Sequence, residues 1–403
     1  MNEDPQNLTE PELAERSGAT PRTIRRLVEL GVLVRREANG PYRLDDVHLV
    51  RLMEAFEAAG VDLRVIARGI AAGEVSYENL SLFLSEPAAF SKTYAELSAE
   101  SGRSPELLRR LVSEFGLPQS PTESTLRDDD ARVLAELLDV WAEAEDDELA
   151  RLARTYGESL RRVVVSDLQL ANTALFSRIR RRDPDEVRRR GGEIGARVTA
   201  LAEELLIWLR RRHLDHEILS FIVETTEDYL QERGIAPRRT RRPPAIAFLD
   251  LTGYTALTEA RGDEAAAELA GRLASLVHRA AQSHGGHPVK WLGDGVMFYF
   301  PDPGGAVASA LDLVEQTARA TDVRARVGVN AGRVISREGD YFGRTVNVAA
   351  RIADFARPGE VLVSAEVTKR APTEDVDFQP LGPVLLKGLK DEVTLYSAVR
   401  AGS

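Results

Sequence analysis

The chain has 403 residues, a formal net charge of −11 and no cysteine. That length predicts two to four domains, the absence of cysteine excludes disulfides and thiolate metal sites, and the acidic balance leaves nucleic acid to be met only by a local basic face. No apolar run approaches the roughly 20 residues that cross a bilayer, and Met1 to Pro5 lacks the basic and apolar regions of a signal peptide, so the expected location is the cytoplasm.

The first predicted elements lie between Glu12 and Leu27. Leu13 and Ala14 begin an apolar helical face, Gly18 permits a turn, and Thr20-Pro21 reads as an N-cap with proline at the first helical position. Gly31 ends the second helix. Val32 to Arg43 reads as a short β wing with Asn39-Gly40 at its tip, and Leu44 to Gly60 as a further amphipathic helix. In this order, residues 1–75 resemble the winged helix-turn-helix of MerR-type regulators. Arg22, Arg25, Arg26, Arg35, Arg36 and Arg43 are placed to meet DNA phosphates. The competing reading, a winged helix that packs on protein, is favoured over DNA contact, because fold does not assign function.

An internal repeat supports that preference. Glu96 to Val112 aligns without gaps to the stretch beginning at Glu12, sharing the leucine, the Ser-Gly turn, the proline at the helix start and the Arg-Arg-Leu-Val run. Asp128-Asp129-Asp130 echoes Asp45-Asp46, and Glu106 stands where the first copy has Arg22. The rest of residues 76–235 reads as helix: Asp147 to Ile179, then Gly191 to Arg212 and His216 to Glu232. His213 and His216 lie together there and are the candidate pH-responsive side chains, with ordinary surface histidines as the alternative. Residues 236–244, rich in proline and arginine, read as a linker into a last domain, 245–403.

Three motifs in that last domain carry chemistry. The first is Phe248 to Thr255: a short apolar strand from Ala245 to Leu249, then Asp250, then a glycine turn into a helix. A carboxylate there offers hard oxygen to Mg²⁺, and the N–H groups of Gly253, Tyr254 and Thr255 suit phosphate. Alone, Asp250 fits a helix cap equally well. The second is Val289 to Phe300, two strands around Gly293-Asp294-Gly295. Asp294 either makes the turn or, with Asp250, forms a two-metal clamp for in-line displacement. In the third, Gly339 to Arg351, Asn347 and Arg351 are spaced i, i+4 and share a helix face.

Residues 245 to 398 resemble a class III nucleotidyl cyclase catalytic domain. The pattern F-x-D-[IL]-x-G-[FY]-T is met by Phe248 to Thr255, K-x-x-G-D by Lys290, Gly293 and Asp294, and D-x-x-G-x-x-V-N-x-A-x-R by Asp340 to Arg351, with Leu386-Lys387-Gly388 following. The resemblance implies metal ligation by Asp250, Asp294 and the Leu251 carbonyl, with two Mg²⁺ or Mn²⁺ ions per site. It implies adenine reading by Lys290 and Asp340, ribose orientation by Asn347 and transition-state stabilisation by Arg351. ATP is the implied substrate, and a homodimer with shared sites the implied assembly. The helical region resembles the N-terminal regulatory domain of certain actinobacterial cyclases, which helps to dimerise and restrain the catalytic pair.

The expected architecture is an all-α N-terminal half with two winged-helix/helix-turn-helix units, followed by an α+β, ferredoxin-like catalytic domain. Its sheet is expected to be mostly antiparallel, with strands near Ala245–Leu249, Pro288–Leu292, Val296–Phe300, Arg324–Ala331 and Glu360–Ser364. Helices near Ala256–Ser283, Gly305–Thr321 and Val346–Ala356 are expected on one face. The competing function is a DNA-binding or signalling regulator whose cyclase-like domain only binds nucleotide.

Overall fold

The computed structural model describes residues 7–35, 42–77, 80, 84, 91–117, 125–182, 184–235, 243–252, 262–321, 323–371 and 374–402, and within these not the side chains of 180, 182, 184–189, 216, 220, 224 and 263–267. The chain divides into two compact units, Met1–Glu232 and Arg233–Ser403.

In the first unit one arrangement occurs twice. Strand β1 (Asn7–Leu8) pairs antiparallel with β2 (Tyr42–Arg43), around helices α1 (Glu10–Ser17) and α2 (Pro21–Glu29), and α3 (Leu44–Ala58) and α4 (Leu63–Ala71) follow. The order returns as β3 (Lys92–Thr93), α5 (Tyr94–Ser101), α6 (Pro105–Glu114), β4 (Thr125–Leu126) and α7 (Asp128–Val140), with β3 paired to β4. The local causes repeat too. Thr9 and Thr93 each form a reciprocal capping box, with Glu12 and Glu96. Gly18 and Gly102 close the first helix in the left-handed region. Thr20 and Ser104 cap the second helix ahead of a proline. Each copy buries its own core, around Leu13, Ile24 and Leu27 in one and Leu97, Leu108 and Leu111 in the other.

One expectation needs correction here. The wing over Val32–Arg43 lies partly outside the described residues, which exclude Arg36, Asn39 and Gly40. Within them, β2 pairs with Asn7–Leu8 rather than with Val32–Arg35. The reason is that the Val32 and Leu33 N–H groups both donate to the Leu27 carbonyl, closing α2. The basic face of α2 is also partly neutralised, since Arg25 pairs with Glu10 at 3.4 Å and Arg26 with Glu57 at 2.5 Å.

The unit continues in long helices. Helix α8 (Asp146–Leu170) passes through a π turn at Ala171–Phe176 into α9 (Ser177–Arg182), and α10 (Pro184–Glu232) follows. The 49 residues of α10 span about 74 Å at 1.5 Å per residue. The break expected between Arg212 and His216 does not occur, because no glycine or proline lies there. His213 is exposed on α10, and the His216 side chain is outside the described set. Leu201, Leu205, Trp208, Leu219 and Ile222 are also exposed, on one register of alternating steps of four and three in which Arg212 and Asp215 hold the two intervening positions.

The second unit is built on a seven-stranded sheet. Its strands are β5 (Ala245–Thr252), β6 (His287–Leu292), β7 (Gly295–Phe300), β8 (Arg324–Ala331), β11 (Val361–Ser364), β12 (Val376–Val384) and β13 (Val393–Arg400), in spatial order β12-β13-β11-β8-β5-β7-β6. Every pairing is antiparallel except β8 with β11. A separate hairpin joins β9 (Ile335–Arg337) to β10 (Asp340–Phe342). The helices are α11 (Asp263–Ser283), α12 (Pro303–Ala320), α13 (Arg344–Phe355) and the short α14 (Ala365–Thr368).

The helices cover both faces, not one. Ala245, Ala247, Leu249 and Leu251 of β5 face the core shared with α11 and α12, whereas Ile246 packs with Met297 and with Ala349 of α13. The physical reason lies in β5 itself. A strand that is apolar without alternation must be covered on each side.

Candidate active site

β5 is paired on both sides, with β7 over Ala245–Leu249 and with β8 along its whole length. Leu249 sits opposite Val296, so Asp250 emerges beside the start of β7. The β6–β7 connection is a two-residue turn, Gly293-Asp294, closed by the Leu292–Gly295 pair, with Gly293 at φ 66°. A Cβ added to Gly295 would stand 3.0 Å from the Leu249 carbonyl and 4.0 Å from Asp250 Oδ1. Glycine therefore lets the turn carrying Asp294 close onto Asp250. Both carboxylates are half-buried. Leu251, the third expected ligand, is the next residue of β5, and its side chain is buried. Gly253, Tyr254 and Thr255 lie outside the described residues.

The second grouping joins β6 to the small hairpin. Lys290 donates its ammonium to Asp340 Oδ2 and lies 5.8 Å from the centroid of the Phe342 ring. Asp340 Oδ1 accepts from the Tyr341 N–H at 2.8 Å. The turn that aims Asp340 is Glu338-Gly339, both residues at positive φ, which suits a tight two-residue hairpin. Lys290 pairs with Met297, which pairs with Phe248, so Lys290 and Asp250 share a sheet face. Two strand spacings and one pleat separate them by roughly 12 Å.

Helix α13 brings Asn347 and Arg351. Three alternate residues of β8 seat it. At its start, buried Asn330 donates to the Thr345 carbonyl at 3.0 Å, while the Ser364 hydroxyl donates to Asn330 at 2.7 Å. In its last turn, a Cβ on Gly328 would stand 2.1 Å from the Ala353 nitrogen, so strand and helix touch backbone to backbone. At its end, Arg326 Nη1 donates to the Asp354 and Ala356 carbonyls at 2.8 and 3.2 Å.

Arg326 also reaches the first grouping. It sits directly opposite Asp250 in the ladder, and its Nε donates to Asp250 Oδ2 at 2.8 Å, with Nη2 donating to the same oxygen. Asn347 and Arg351 are exposed, and Arg351 pairs with Asp354 at 2.8 Å. Among the described residues, no hydrogen bond or ion pair joins Asn347 or Arg351 to Asp250 or Asp294. The sequence reading missed Arg326 and Asn330. The available signal was the alternation Arg326, Gly328, Asn330 opposite an unbroken small-apolar face of Ala325, Val327 and Val329.

Asp250 and Asp294 offer hard anionic oxygens at one end of paired strands, a donor set that suits a divalent cation. The bare Cα of Gly295 keeps the Asp294 turn close to Oδ1 of Asp250.

Residues 239–399 match the family model described as the adenylate and guanylate cyclase catalytic domain. The pH-sensitive adenylate cyclase MT1302 of Mycobacterium tuberculosis is 38% identical over 198 residues, 46% of this chain and 49% of that protein. An adenylate cyclase of Glutamicibacter nicotianae is 29% identical over 298 residues, 70% of this chain and 72% of that protein. The crystal structure of the adenylyl cyclase CyaB from P. aeruginosa superposes with a TM-score of 0.35 and 24% identity, over 39% of this chain and 94% of that one. The chain spans 49%, 40% and 40% of the length of the first curated relatives it matches, half or less in each case. Residues 239–399 are a cyclase catalytic domain with homologues among actinobacterial adenylate cyclases.

Proposed function

We propose that this chain is an adenylate cyclase that converts ATP to 3′,5′-cyclic AMP and pyrophosphate, working as a homodimer under control of its N-terminal half. The observation that carries the reading is the meeting of Asp250 with the Asp294 turn, within a segment that matches the cyclase domain. Asp250, Asp294 and the Leu251 carbonyl would hold the cations, two Mg²⁺ or Mn²⁺ per site. Bound there, these ions would lower the pKa of the ribose 3′-hydroxyl and offset triphosphate charge.

The chain's own groups do the positioning. Lys290 donates and Asp340 accepts, a polarity that matches the ring nitrogen and amino group along the edge of adenine. Asn347 holds the ribose so that its 3′-oxygen lies in line with the α-phosphorus. As the new P–O bond forms and the bond to pyrophosphate breaks, Arg351 balances charge on the α-phosphoryl oxygens. Gly253, Tyr254 and Thr255 supply N–H groups to the phosphates.

Asn347 and Arg351 point outward in a single chain. A second copy would therefore bring them to the carboxylates, giving two sites per symmetric pair. The exposed leucine, tryptophan and isoleucine series along α10 supports pairing of chains in the first unit as well.

The test is to incubate the purified chain with ATP or GTP and Mn²⁺ and to assay cyclic product. Cyclic AMP from ATP is expected. No cyclic product from either nucleotide sinks the reading, and cyclic GMP alone sinks its adenine part.

A further inference from the structure

We propose that Arg326 is the positioning residue of the metal carboxylate, and that it ties this carboxylate to the helix carrying Asn347 and Arg351. The proposal rests on the cyclase reading above. Arg326 spends all three guanidinium nitrogens. Nε and Nη2 donate to Asp250 Oδ2, and Nη1 donates to the Asp354 and Ala356 carbonyls. Those carbonyls end α13, where backbone acceptors lose their helical partners and a cation is favoured by the helix dipole. One side chain thus caps α13 and fixes Asp250.

The division between the two oxygens of Asp250 gives the role its direction. Oδ2 is taken by Arg326, whereas Oδ1 is the atom 4.0 Å from the Cβ position of Gly295, beside Asp294. A cation shared with Asp294 is therefore offered Oδ1 while Oδ2 stays anchored. Arg326 and Asp250 are only partly exposed, at 23% and 30% of side-chain surface, so the contact is shielded from much of the solvent that weakens surface pairs. An outer partner that orients a ligating carboxylate typically contributes 10- to 100-fold to metal affinity.

The same bond crosses between sites. In a shared-site homodimer, Asp250 serves one site, and Asn347 and Arg351 of the same chain serve the other. Arg326 is then the side chain that couples cation loading at one site to the set of α13 at its neighbour.

The experiment titrates Mn²⁺ into the full-length chain without nucleotide, read by electron paramagnetic resonance, alongside amide exchange over α13. Arg326→Gln is expected to raise the Mn²⁺ Kd about 10- to 100-fold and to speed exchange at the C-terminal end of α13. Arg326→Lys keeps one cation for Oδ2 but loses the fork, so a smaller loss of Mn²⁺ affinity is expected, and this variant carries the test if Arg326→Gln does not fold. Mn²⁺ binding as tight as wild type, or tighter, in either folded variant overturns the proposal, because it would make Arg326 a helix cap alone or a rival of the cation. Asp250→Asn separates the two readings. If it leaves Mn²⁺ binding intact, the metal site of the cyclase reading fails; if it abolishes binding while Arg326→Gln does not weaken it, only the role of Arg326 fails.

Discussion

Lys290 and Asp340, fifty residues apart in the chain, are joined by a direct ammonium–carboxylate hydrogen bond. Each is partly buried, so removing one leaves the other short of a partner in a shielded place. Lys290→Ala is expected to reduce the preference for ATP over GTP by about 10²-fold or more, since a site built to hydrogen-bond its substrate discriminates through those bonds. Initial rates with both nucleotides check this, and unchanged selectivity would remove the pair from substrate reading.

Among the described residues, Arg351 pairs with Asp354 on the next turn and with nothing deeper, so its substitution should leave the fold intact. Arg351→Ala is expected to lower kcat about 10²- to 10³-fold with KM little changed, the pattern of an interaction made only in the transition state. Steady-state kinetics at saturating Mn²⁺ decide the matter. A raised KM with normal kcat would reassign the residue to ground-state binding.

Sharing of sites has its own signature. Asp250→Ala chains and Asn347→Ala chains should each be inactive, yet a refolded equal mixture should recover about one quarter of wild-type activity, from one intact site in each mixed pair. A mixture as inactive as its parents means that each chain builds its site alone.

Gly328 leaves no room for a methyl group between β8 and α13. Gly328→Ala should force the helix away from the strand at about 1–3 kcal/mol, lowering the Tm of the second unit and displacing Asn347 and Arg351 together. A melting curve that overlays the wild type would show that the contact is looser than its geometry.

In the first unit, His48 is buried on α3. Burial holds its pKa below the ordinary histidine value; Arg51 and, more weakly, Arg127 add to the lowering, and Asp45 opposes it. A depressed histidine contributes stability that is fully present above the unfolded pKa of about 6.5 and is lost as pH falls from there through the lower folded pKa. The Tm of this unit should therefore drop from pH 7 to pH 5, and His48→Gln should flatten part of that slope. Parallel profiles for the two proteins would clear His48 of the effect.

What could be read in the chain follows from where the signals are local. Arg324–Ala331 was expected as a strand and forms over those residues, because its alternation and its flanks are self-contained. The Gly293-Asp294 turn was likewise announced by its own residues. Strand β12 was not anticipated. Pro380, Gly382 and Pro383 speak against a strand, and it is tolerated because β12 is an edge strand with an irregularity between Pro380 and Gly382. The three-residue strands β9 and β10 are too short to show a period. The site divides in the same way. Asp250, Asp294, Asn347 and Arg351 stand in recognisable motifs, whereas Arg326 acquires meaning only from the strand and helix ends that the fold places beside it.

Strand β5 begins at Ala245 and reaches Asp250 without an intervening loop, laced to β8 along its whole length and to β7 over its first five residues. To slide this strand by itself would shear two ladders at once. A pull arriving at its first residue is therefore borne by the sheet as one plate, with the carboxylate, the Asp294 turn and the guanidinium of Arg326 travelling in company. In the shared-site pair proposed above, a force applied through this entry strand would therefore carry a whole half-site toward or away from its counterpart and would not tug one carboxylate out of place.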